Sequence, residues 1–563
     1  MKNVIITLLI GLAASSNVMA EDIPISCPTV TLEGVLSDRT LDKDTTYLLS
    51  GCVSVPSGVT ITAEEGVVIM GEKATHGTLV FRKGSIFISQ GTSSQSVIFT
   101  SNQVQANRNP GDWGGIIFEG DAPNNNSNSI TLNNRTCTSV TGGGATANDY
   151  SGVLKFMRIE YAEYGLTMLS VGRGTEMHDI QIASCSQNGL ELYGGTVDFN
   201  RMVFLDNYGI DILATHGNVS KAQYIIAVRL DHDANVATGL QSNSIVFSNN
   251  DDALNDYLGS TSALFTHPVF SNVTLIGPRY CDPSGLSSNF KNAVLYQNRT
   301  EGTIANSIIA GWPIGLFIAD QFTADKADIE YKLNFFENSF YDNALDYDLD
   351  ISVTWANNCA ATMDEWISNT GGSSCSQPNN QFSTPSYDPD FSGTICGSYD
   401  ITSPSFLLGG STELGESDFP EDSDIDNVFF VMSAGYHGAT NKSEDWTDFD
   451  WINWYPAGED FCPQLKGMVT TGVGNIANNN SNLTLAPNPA NGVTYAAFTT
   501  EQAGRVQITV TNNLGQVVRT ITQDFTKGNQ RVAISTEGLS AGMYLIKVSL
   551  QQGNVARTKL LVK

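Results

Sequence analysis

Three aspartates at alternate positions of the segment EDSDIDN could hold a cation. They are Asp422, Asp424 and Asp426. An extended backbone would point them to one side, and several carboxylate oxygens in one place are the ligands that Ca²⁺ prefers. The segment DYDLDI repeats the alternation with Asp346, Asp348 and Asp350. We keep two interpretations of both segments: a solvated acidic face, which we favour, and a Ca²⁺ site.

Four aromatic residues in the segment EDWTDFDWINWYP form a second candidate site. They are Trp446, Trp451, Trp454 and Tyr455. Aromatic rings have flat apolar faces that can pack against sugar rings, so the cluster could bind a glycan. The same rings could instead seal the open end of a solenoid, where a terminal coil would expose its core. We favour the second interpretation.

A third hypothesis is enzymatic. A polysaccharide lyase or hydrolase needs charged groups that bind the substrate and a base placed near the reacting proton. The candidates in the central stretch are Asp206, Asp211, Asp231, Asp233 and Arg229. They match no lyase motif residue by residue. Ser540 in GLSAG is followed by a strand pattern rather than by the helix that a serine-hydrolase elbow requires. Catalysis therefore stays the alternative to a binding function.

The charge of the chain excludes one class of partner. The 563 residues include 58 acidic and 29 basic ones, a net charge of -29. Residues 483–563 are the exception, with eight basic and three acidic residues. Phosphate binding requires clustered cations, which the acidic remainder lacks, so we expect no nucleic-acid partner.

The first 20 residues, MKNVIITLLIGLAASSNVMA, have the organisation of a secretory signal peptide. Lys2 precedes an apolar run from Val4 to Ala14, which is too short to cross a hydrocarbon core of about 30 Å. All nine cysteines follow this segment, as expected for a protein that matures in an oxidising compartment.

Short strand patterns recur through the middle of the chain. The glycines of YGLTM, NGLEL and YGIDI, at positions 165, 189 and 209, are separated by 24 and 20 residues. A repeat of this length with about three short strands is typical of a right-handed parallel β-helix, in which each coil buries its inward side chains against the next. We therefore predict an all-β fold with a parallel β-helix.

The coil length also predicts disulfide bonds. Cys27 and Cys52 are 25 residues apart, about one coil, and adjacent rungs lie about 4.8 Å apart, so we expect this pair to be bonded. Cys359 and Cys375 are expected to close a loop. Cys137 and Cys185 would be about two coils apart, too far for a bond. The pairing of Cys281, Cys396 and Cys462 stays open.

Seven long segments, in a fixed order, carry a family resemblance. They are SVIFTSN, PGDWGGIIFEGDAP, IEYAEYGL, NGLELYGGTVDFNRMVFLDNYGIDI, HPVFSNVTLIGP, FFVMSAGYHGA and EDWTDFDWINWYP. In these segments the chain, from about residue 26 to residue 466, resembles exported β-helix proteins of Bacteroidota and related marine bacteria. The resemblance implies the pectate-lyase-like architecture and does not imply lyase activity.

Residues 483–563 resemble the sorting domain of the type IX secretion system. The segments LAPNPANG, NLGQVV, GLSAGMYLIKV and TKLLVK carry this resemblance. The sorting-signal residues that it implies are Pro487, Asn488, Pro489, Gly492, Gly515, Gly538, Leu539, Gly542, Tyr544 and Lys563. Alternating apolar residues between glycine turns predict a small immunoglobulin-like β-sandwich.

We therefore expect four segments: a signal peptide (1–20), a β-helix passenger with irregular C-terminal insertions (21–468), a linker (469–482) and the sorting domain (483–563). The resemblance implies that the type IX machinery recognises the last segment at the outer membrane and removes it. The passenger would then be attached to surface lipopolysaccharide or released. We expect it to act as an adhesin, a glycan-binding protein or a surface component. A polysaccharide lyase or hydrolase is the alternative, and a structural spacer is the third.

Overall fold

The computed structural model divides into two compact units, residues 1–465 and residues 466–563. The structure describes residues 29–229, 241–250, 264–284, 286–368, 380–382, 389, 391, 395–396, 404–408, 424–441, 445–461, 483–500, 504–512, 517–540, 542–550 and 555–563. The predicted signal peptide and linker lie outside these ranges. None of the helices in these ranges has the length and hydropathy needed to cross a membrane.

The described part of the first unit contains short strands and two α-helices. In chain order they are β1 (Thr29–Val35), β2 (Arg39–Leu41), β3 (Thr46–Val55), β4 (Thr60–Ala63), β5 (Val68–Gly71), β6 (Thr78–Phe81), β7 (Ile86–Ser89), β8 (Val97–Ser101), β9 (Gly115–Glu119), β10 (Ile130–Leu132), β11 (Val140–Gly142), β12 (Gly152–Glu160), β13 (Leu166–Leu169), β14 (Glu176–Ala183), β15 (Leu190–Tyr193), β16 (Phe199–Leu205), β17 (Ile210–Thr215), β18 (Lys221–Val228), β19 (Asn243–Phe247), β20 (Val269–Ile276), β21 (Asn292–Tyr296), β22 (Gly302–Ala310), β23 (Ile314–Ile318), α1 (Gln321–Asp328), β24 (Leu333–Tyr341), β25 (Leu345–Leu349) and α2 (Met363–Ser368).

Parallel pairing stacks these strands into three faces of one β-helix. Sheet C contains β2, β4, β7 and the first halves of the long strands β12, β14, β16, β18, β20, β22 and β24. Sheet A contains β5, β8 and the second halves of the same long strands. Sheet B contains β6, β9, β13, β15, β17, β19, β21, β23 and β25. The parallel β-helix predicted from the repeats is confirmed.

A single residue bends each long strand from sheet C into sheet A. These corner residues have φ between 47° and 62° and are Phe156, Asp179, Arg201, Tyr224, Asn272, Asn306 and Glu337. The left-handed conformation turns the chain within one residue and drops that residue out of the pairing. On β12 and β14, for example, Lys155 pairs with His178 and Met157 pairs with Ile180, which skips Phe156 and Asp179.

The outer face of sheet A is apolar and is covered by a later part of the chain. We call residues 437–461 the strap; its described parts are 437–441 and 445–461. Two backbone N–H groups of the strap donate hydrogen bonds to side chains of sheet A. Ala439 N donates to Thr274 Oγ1 (2.9 Å), and Asn453 N donates to Gln181 Oε1 (2.8 Å). Phe461 then packs on β5 and β8. The strap therefore runs along sheet A, from the level of β24 back to that of β5.

An insertion, residues 120–150, lies on sheet B and corrects a disulfide prediction. It contains the antiparallel pair β10 and β11. Its Cys137 is bonded to Cys52 of β3, with 5.0 Å between the Cα atoms. The predicted bond between Cys52 and Cys27 is therefore wrong, and Cys27 lies outside the described residues. Coil spacing failed here because the insertion folds back over sheet B and brings in a cysteine 85 residues away in sequence.

The remaining described cysteines behave as follows. Cys281 is bonded to Cys396, again with 5.0 Å between the Cα atoms. Cys359 is disulfide-bonded, and its predicted partner Cys375 lies outside the described residues. Cys185 is a buried free cysteine, in agreement with the expectation that it does not reach Cys137.

The second unit is the predicted small β-sandwich. Its strands are β26 (Thr484–Asn491), β27 (Val493–Thr500), β28 (Gly504–Thr511), β29 (Val517–Phe525), β30 (Gly528–Ser535), β31 (Gly542–Leu550) and β32 (Val555–Val562). They follow the order β29-β28-β31-β32-β26-β27-β30, so β32 lies between β31 and β26. Val506, Ile508, Ile546 and Leu560 belong to its core.

Several of the predicted sorting-signal residues join strands in this unit. Asn488 accepts from Leu561 N (2.8 Å) and donates to Lys559 O (2.7 Å), and Lys563 N donates to Ala490 O (2.9 Å). Gly492 and Gly538 have φ of 86° and 83°, which explains glycine at these turns. Tyr544 donates its hydroxyl to Ser540 O. Gly515 lies outside the described residues.

Candidate ligand-binding pocket

The predicted aromatic site is part of the strap, and two of its four residues are buried. Trp451 is 1% exposed and Trp454 is 8% exposed. The Trp451 ring stacks on Trp446 with 6.0 Å between the ring centroids and meets Phe156 edge-on at 6.4 Å. Half-buried Tyr455 follows them, with its backbone N bonded to Asn453 Oδ1. Trp451 and Trp454 therefore have little exposed ring surface for a sugar, whereas Trp446 and Tyr455 are partly exposed, and glycan stacking on the cluster stays a prediction.

The cluster does cover core surface, although not at an end of the solenoid. Trp451, Ile452 and Trp454 pack on outward side chains of sheet A. Those side chains include Ala183, Val203, Leu205, Ile226, Val228, Ile276, Ile308 and Ala310. The aromatic residues thus close a side of the β-helix. The sequence contains a signal for this covered outer face. Strands such as RMVFL carry apolar residues at consecutive positions, so apolar side chains lie on both faces of the sheet.

The predicted calcium ligands are bound to cations of the protein. Asp424 Oδ2 is 2.8 Å from His267 Nε2, and Asp426 pairs with Lys221 Nζ. Asp422 lies outside the described residues. Elsewhere, Asp350 accepts hydrogen bonds from the backbone N and hydroxyl of Ser352. The described residues contain no group of three or more candidate metal ligands.

Two of the residues in the enzymatic hypothesis form a buried ion pair. Arg229 Nη2 is 2.8 Å from Asp211 Oδ1, and Ser244 donates to the other carboxylate oxygen. The guanidinium lies 5.6 Å from the ring centroid of Trp312, a core residue. Asp206 is at a bend with φ of 47°, and Asp231 and Asp233 lie outside the described residues. Both side chains of the pair are buried, so a substrate cannot contact them in this structure.

The structure contains a pocket that sequence reasoning missed. It has a volume of about 420 Å³ and lies at the edge of sheet C. It is lined by Arg173, Val219, Lys221, Leu264, Phe265, His267, Val269, Glu301 and Asp424. This volume falls within the range of small-molecule sites, which combine apolar walls with a few polar groups.

Strand register brings these distant residues together. Lys221 of β18 pairs with Val269 of β20, which pairs with Thr303 of β22. The residues that precede these strands therefore share one edge of the sheet. His267 N donates to Asn218 O and Glu301 N donates to Thr266 O, which fixes two of them there.

A chain of ion pairs holds the polar wall of the pocket. His267 Nδ1 is 3.0 Å from Glu301 Oε2, and Glu301 Oε1 is 2.7 Å from Lys326 Nζ of α1. Burial alone would lower the pKa of His267, but hydrogen bonds to Asp424 and Glu301 raise this pKa to about 9. The same contacts lower the pKa of both carboxylic acids. At neutral pH the imidazolium therefore donates from both ring nitrogens.

The mouth of the pocket carries an exposed cation. Arg173 lies on the turn before β14; its charge interacts with the Asp198 carboxylate, but its guanidinium forms no hydrogen bond or close ion pair with the described residues. Phe265 supplies an apolar wall, and its ring is backed by the Lys326 ammonium at 3.7 Å. The arrangement offers a free donor beside carboxylates that are already paired, which suits binding better than proton transfer.

The signal that could have found the pocket is positional: His267 and Glu301 both lie within two residues of the start of a sheet C strand. Residues at equivalent places in successive coils of a β-helix become neighbours.

Comparison with known proteins gives two matches to protein families. Residues 34–382 match the model of the pectate-lyase like beta helix domain, which covers more than half of the chain. Residues 484–563 match the model of the secretion system C-terminal sorting domain. No curated protein matches the chain.

Proposed function

We propose that this chain, which belongs to the family of pectate-lyase-like β-helix domains, is a glycan-binding protein of the cell surface. Its sorting domain directs export by the type IX secretion system to the cell surface or the extracellular space. The passenger would bind its ligand after the sorting domain has been removed within residues 469–482. It would then stay attached to surface lipopolysaccharide or be released.

The pocket of about 420 Å³ is the observation that carries this proposal. Sugar hydroxyl groups both donate and accept hydrogen bonds, and sugar rings have apolar faces. Arg173 can donate to a ligand, the carboxylate oxygens of Glu301 and Asp424 can accept from it, and Phe265 can pack against a ring. The lining thus has the mixed character that a sugar requires.

The test is co-elution of the exported protein with polysaccharides on a size-exclusion column. Alginate, pectin, laminarin, xylan and mannan serve as probes. We expect the protein to co-elute with full-length chains of at least one of them. Shortened chains would support the lyase or hydrolase alternative instead, and unchanged profiles with all five would contradict glycan binding.

A pair of arginine variants tests the pocket itself. Arg173→Gln removes the donor at the mouth, whereas Arg39→Gln changes a partly exposed arginine of β2, which does not line the pocket. We expect the first variant to weaken binding about tenfold, which corresponds to about 1.4 kcal/mol. The second variant should bind as the unmodified protein does. If both variants weaken binding equally, the ligand binds outside the pocket.

A further inference from the structure

The described residues cover the outer face of sheet C along only part of its length. From β18 onward, residues 424–431 lie over it: Ile425 and Phe430 pack on Val269, Ala305 and Phe336. Val431 N also donates to Gln223 Oε1 (2.8 Å). We call residues 424–431 the cover. Asp424, its first residue, lines the pocket, so the pocket lies where the cover begins.

Outward side chains on the preceding strands of sheet C are at least partly exposed. They are Thr60 and Thr62 on β4, Ile86 and Ile88 on β7, Val153 and Lys155 on β12, Glu176 and His178 on β14, and Asn200 on β16. We call this surface the groove. Parallel pairing aligns its side chains in columns, for instance Lys155, His178 and Asn200. Adjacent rungs lie about 4.8 Å apart, so five steps from β4 to β18 extend about 24 Å.

Two residues connect the groove to the pocket. Arg173 lines the pocket and lies on the turn that leads into β14. Lys221 also lines the pocket, and its backbone N donates to Asp198 Oδ1 (2.8 Å) beside β16. The ammonium group of Lys221 forms an ion pair with Asp426 of the cover. The groove therefore leads into the pocket and is closed beyond it.

The charges in the groove are balanced. His178 Nε2 is 2.9 Å from Glu176 Oε1, and its Nδ1 is 2.5 Å from Asp179 Oδ2. Arg201 also binds Asp179. The ammonium group of Lys155 forms no hydrogen bond or ion pair with the described residues, which leaves it available as a donor. A balanced surface on a chain with net charge -29 favours an uncharged polymer, because a polyanion would be repelled by the rest of the protein.

We propose that the pocket and the groove form one site for the end of a linear, uncharged glycan. The terminal sugar occupies the pocket, and the following sugars lie across β16, β14 and β12, where Lys155 and His178 contact them. The cover blocks passage beyond β18, so the site recognises a chain end rather than the middle of a chain. This inference rests on the proposed glycan-binding function.

The test measures how affinity depends on oligomer length. The exported protein is titrated with linear β-1,4-xylan, β-1,4-mannan and β-1,3-glucan oligomers from the monomer to the hexamer, and with a cyclic β-glucan that has no ends. For one of these series we expect affinity to increase with each added sugar and then level off. The cyclic glucan should not compete. A hexamer that binds no better than the dimer, or a cyclic glucan that competes equally, would overturn the inference.

Lysine variants separate the groove from the pocket. Lys155→Gln should weaken hexamer binding about tenfold and leave dimer binding unchanged, whereas Arg173→Gln should weaken both. Lys43→Gln is the matched control, because Lys43 is exposed and pairs only with groups near β4. Equal loss for dimer and hexamer in Lys155→Gln would contradict the groove while leaving glycan binding intact. If no oligomer of any series binds, both proposals fail.

Discussion

At the scale of single residues, charge has two different uses in this protein. Arg135 and Glu191 lie 2.7 Å apart with side chains almost fully buried, as do Arg229 and Asp211 at 2.8 Å. Breaking such a pair leaves a buried charge without compensation, which typically costs about 3–5 kcal/mol. These residues therefore maintain the fold. The charges around His267 instead line a cavity, where a ligand can reach them.

His267 gives the stability of the protein a pH dependence with a defined sign. Its pKa is raised from an ordinary value of 6.5 to about 9 in the folded protein. A raised pKa stabilises the fold fully below about pH 6.5, and this contribution is lost as the pH rises through about 9. Asp424 and Glu301 face the imidazolium directly, and Lys326 lies behind Glu301. Between about pH 6.5 and pH 9, we expect the melting temperature of the unmodified protein to fall by more than that of the His267→Gln variant.

The comparison between variants isolates this effect from other groups that titrate at alkaline pH. Melting curves are measured by circular dichroism from pH 6 to pH 10 for the unmodified protein, for His267→Gln and for His76→Gln. His76 is partly exposed and does not line the pocket, so its variant serves as the histidine control. If the curves of His267→Gln and the unmodified protein are parallel, the protonation of His267 contributes nothing to the pH dependence of stability.

At the scale of elements, the sequence predicts what repeats and misses what does not. The spacing of Gly165, Gly189 and Gly209 predicts the β-helix because every coil has the same requirement for buried side chains. The strap has no period, so nothing in residues 437–461 indicates which face they cover. The pocket joins Arg173 to Asp424, two residues that only the folded coils bring together. The bond between Cys52 and Cys137 was missed for the same reason.

The strap should contribute to the stability of the β-helix as a core element does. Trp451 is 1% exposed, so Trp451→Ala leaves a large cavity on sheet A and should cost about 3–5 kcal/mol. Phe449→Ala is the matched control, because Phe449 is 48% exposed and its loss should change stability by at most about 0.5 kcal/mol. Urea unfolding followed by circular dichroism measures both. If the strap does not stabilise the β-helix, both variants will lose a similar, small amount of unfolding free energy.

At the scale of the whole molecule, the acidic and basic parts of the chain have different tasks. The negative charge belongs to the β-helix part, whereas residues 483–563 carry a net positive charge. The family resemblance predicted both parts and the export route, which the two family matches confirm. The ligand could not be predicted in this way, because it depends on side chains that one fold can vary freely.

Export should depend on the last strand of the sorting domain. Strand β32 lies between β31 and β26, and Leu560 on its inner side is 0% exposed, whereas the next residue, Leu561, is 46% exposed. Leu560→Ser creates a cavity and buries a hydroxyl group, at a cost of about 2–5 kcal/mol, a large part of what a domain of this size can lose. Leu561→Ser should cost little. We therefore expect Leu560→Ser to accumulate in the periplasm and Leu561→Ser to reach the cell surface or medium, as measured by immunoblots of cell fractions. Equal export of the two variants would mean that the secretion machinery reads a short exposed sequence rather than the folded sandwich.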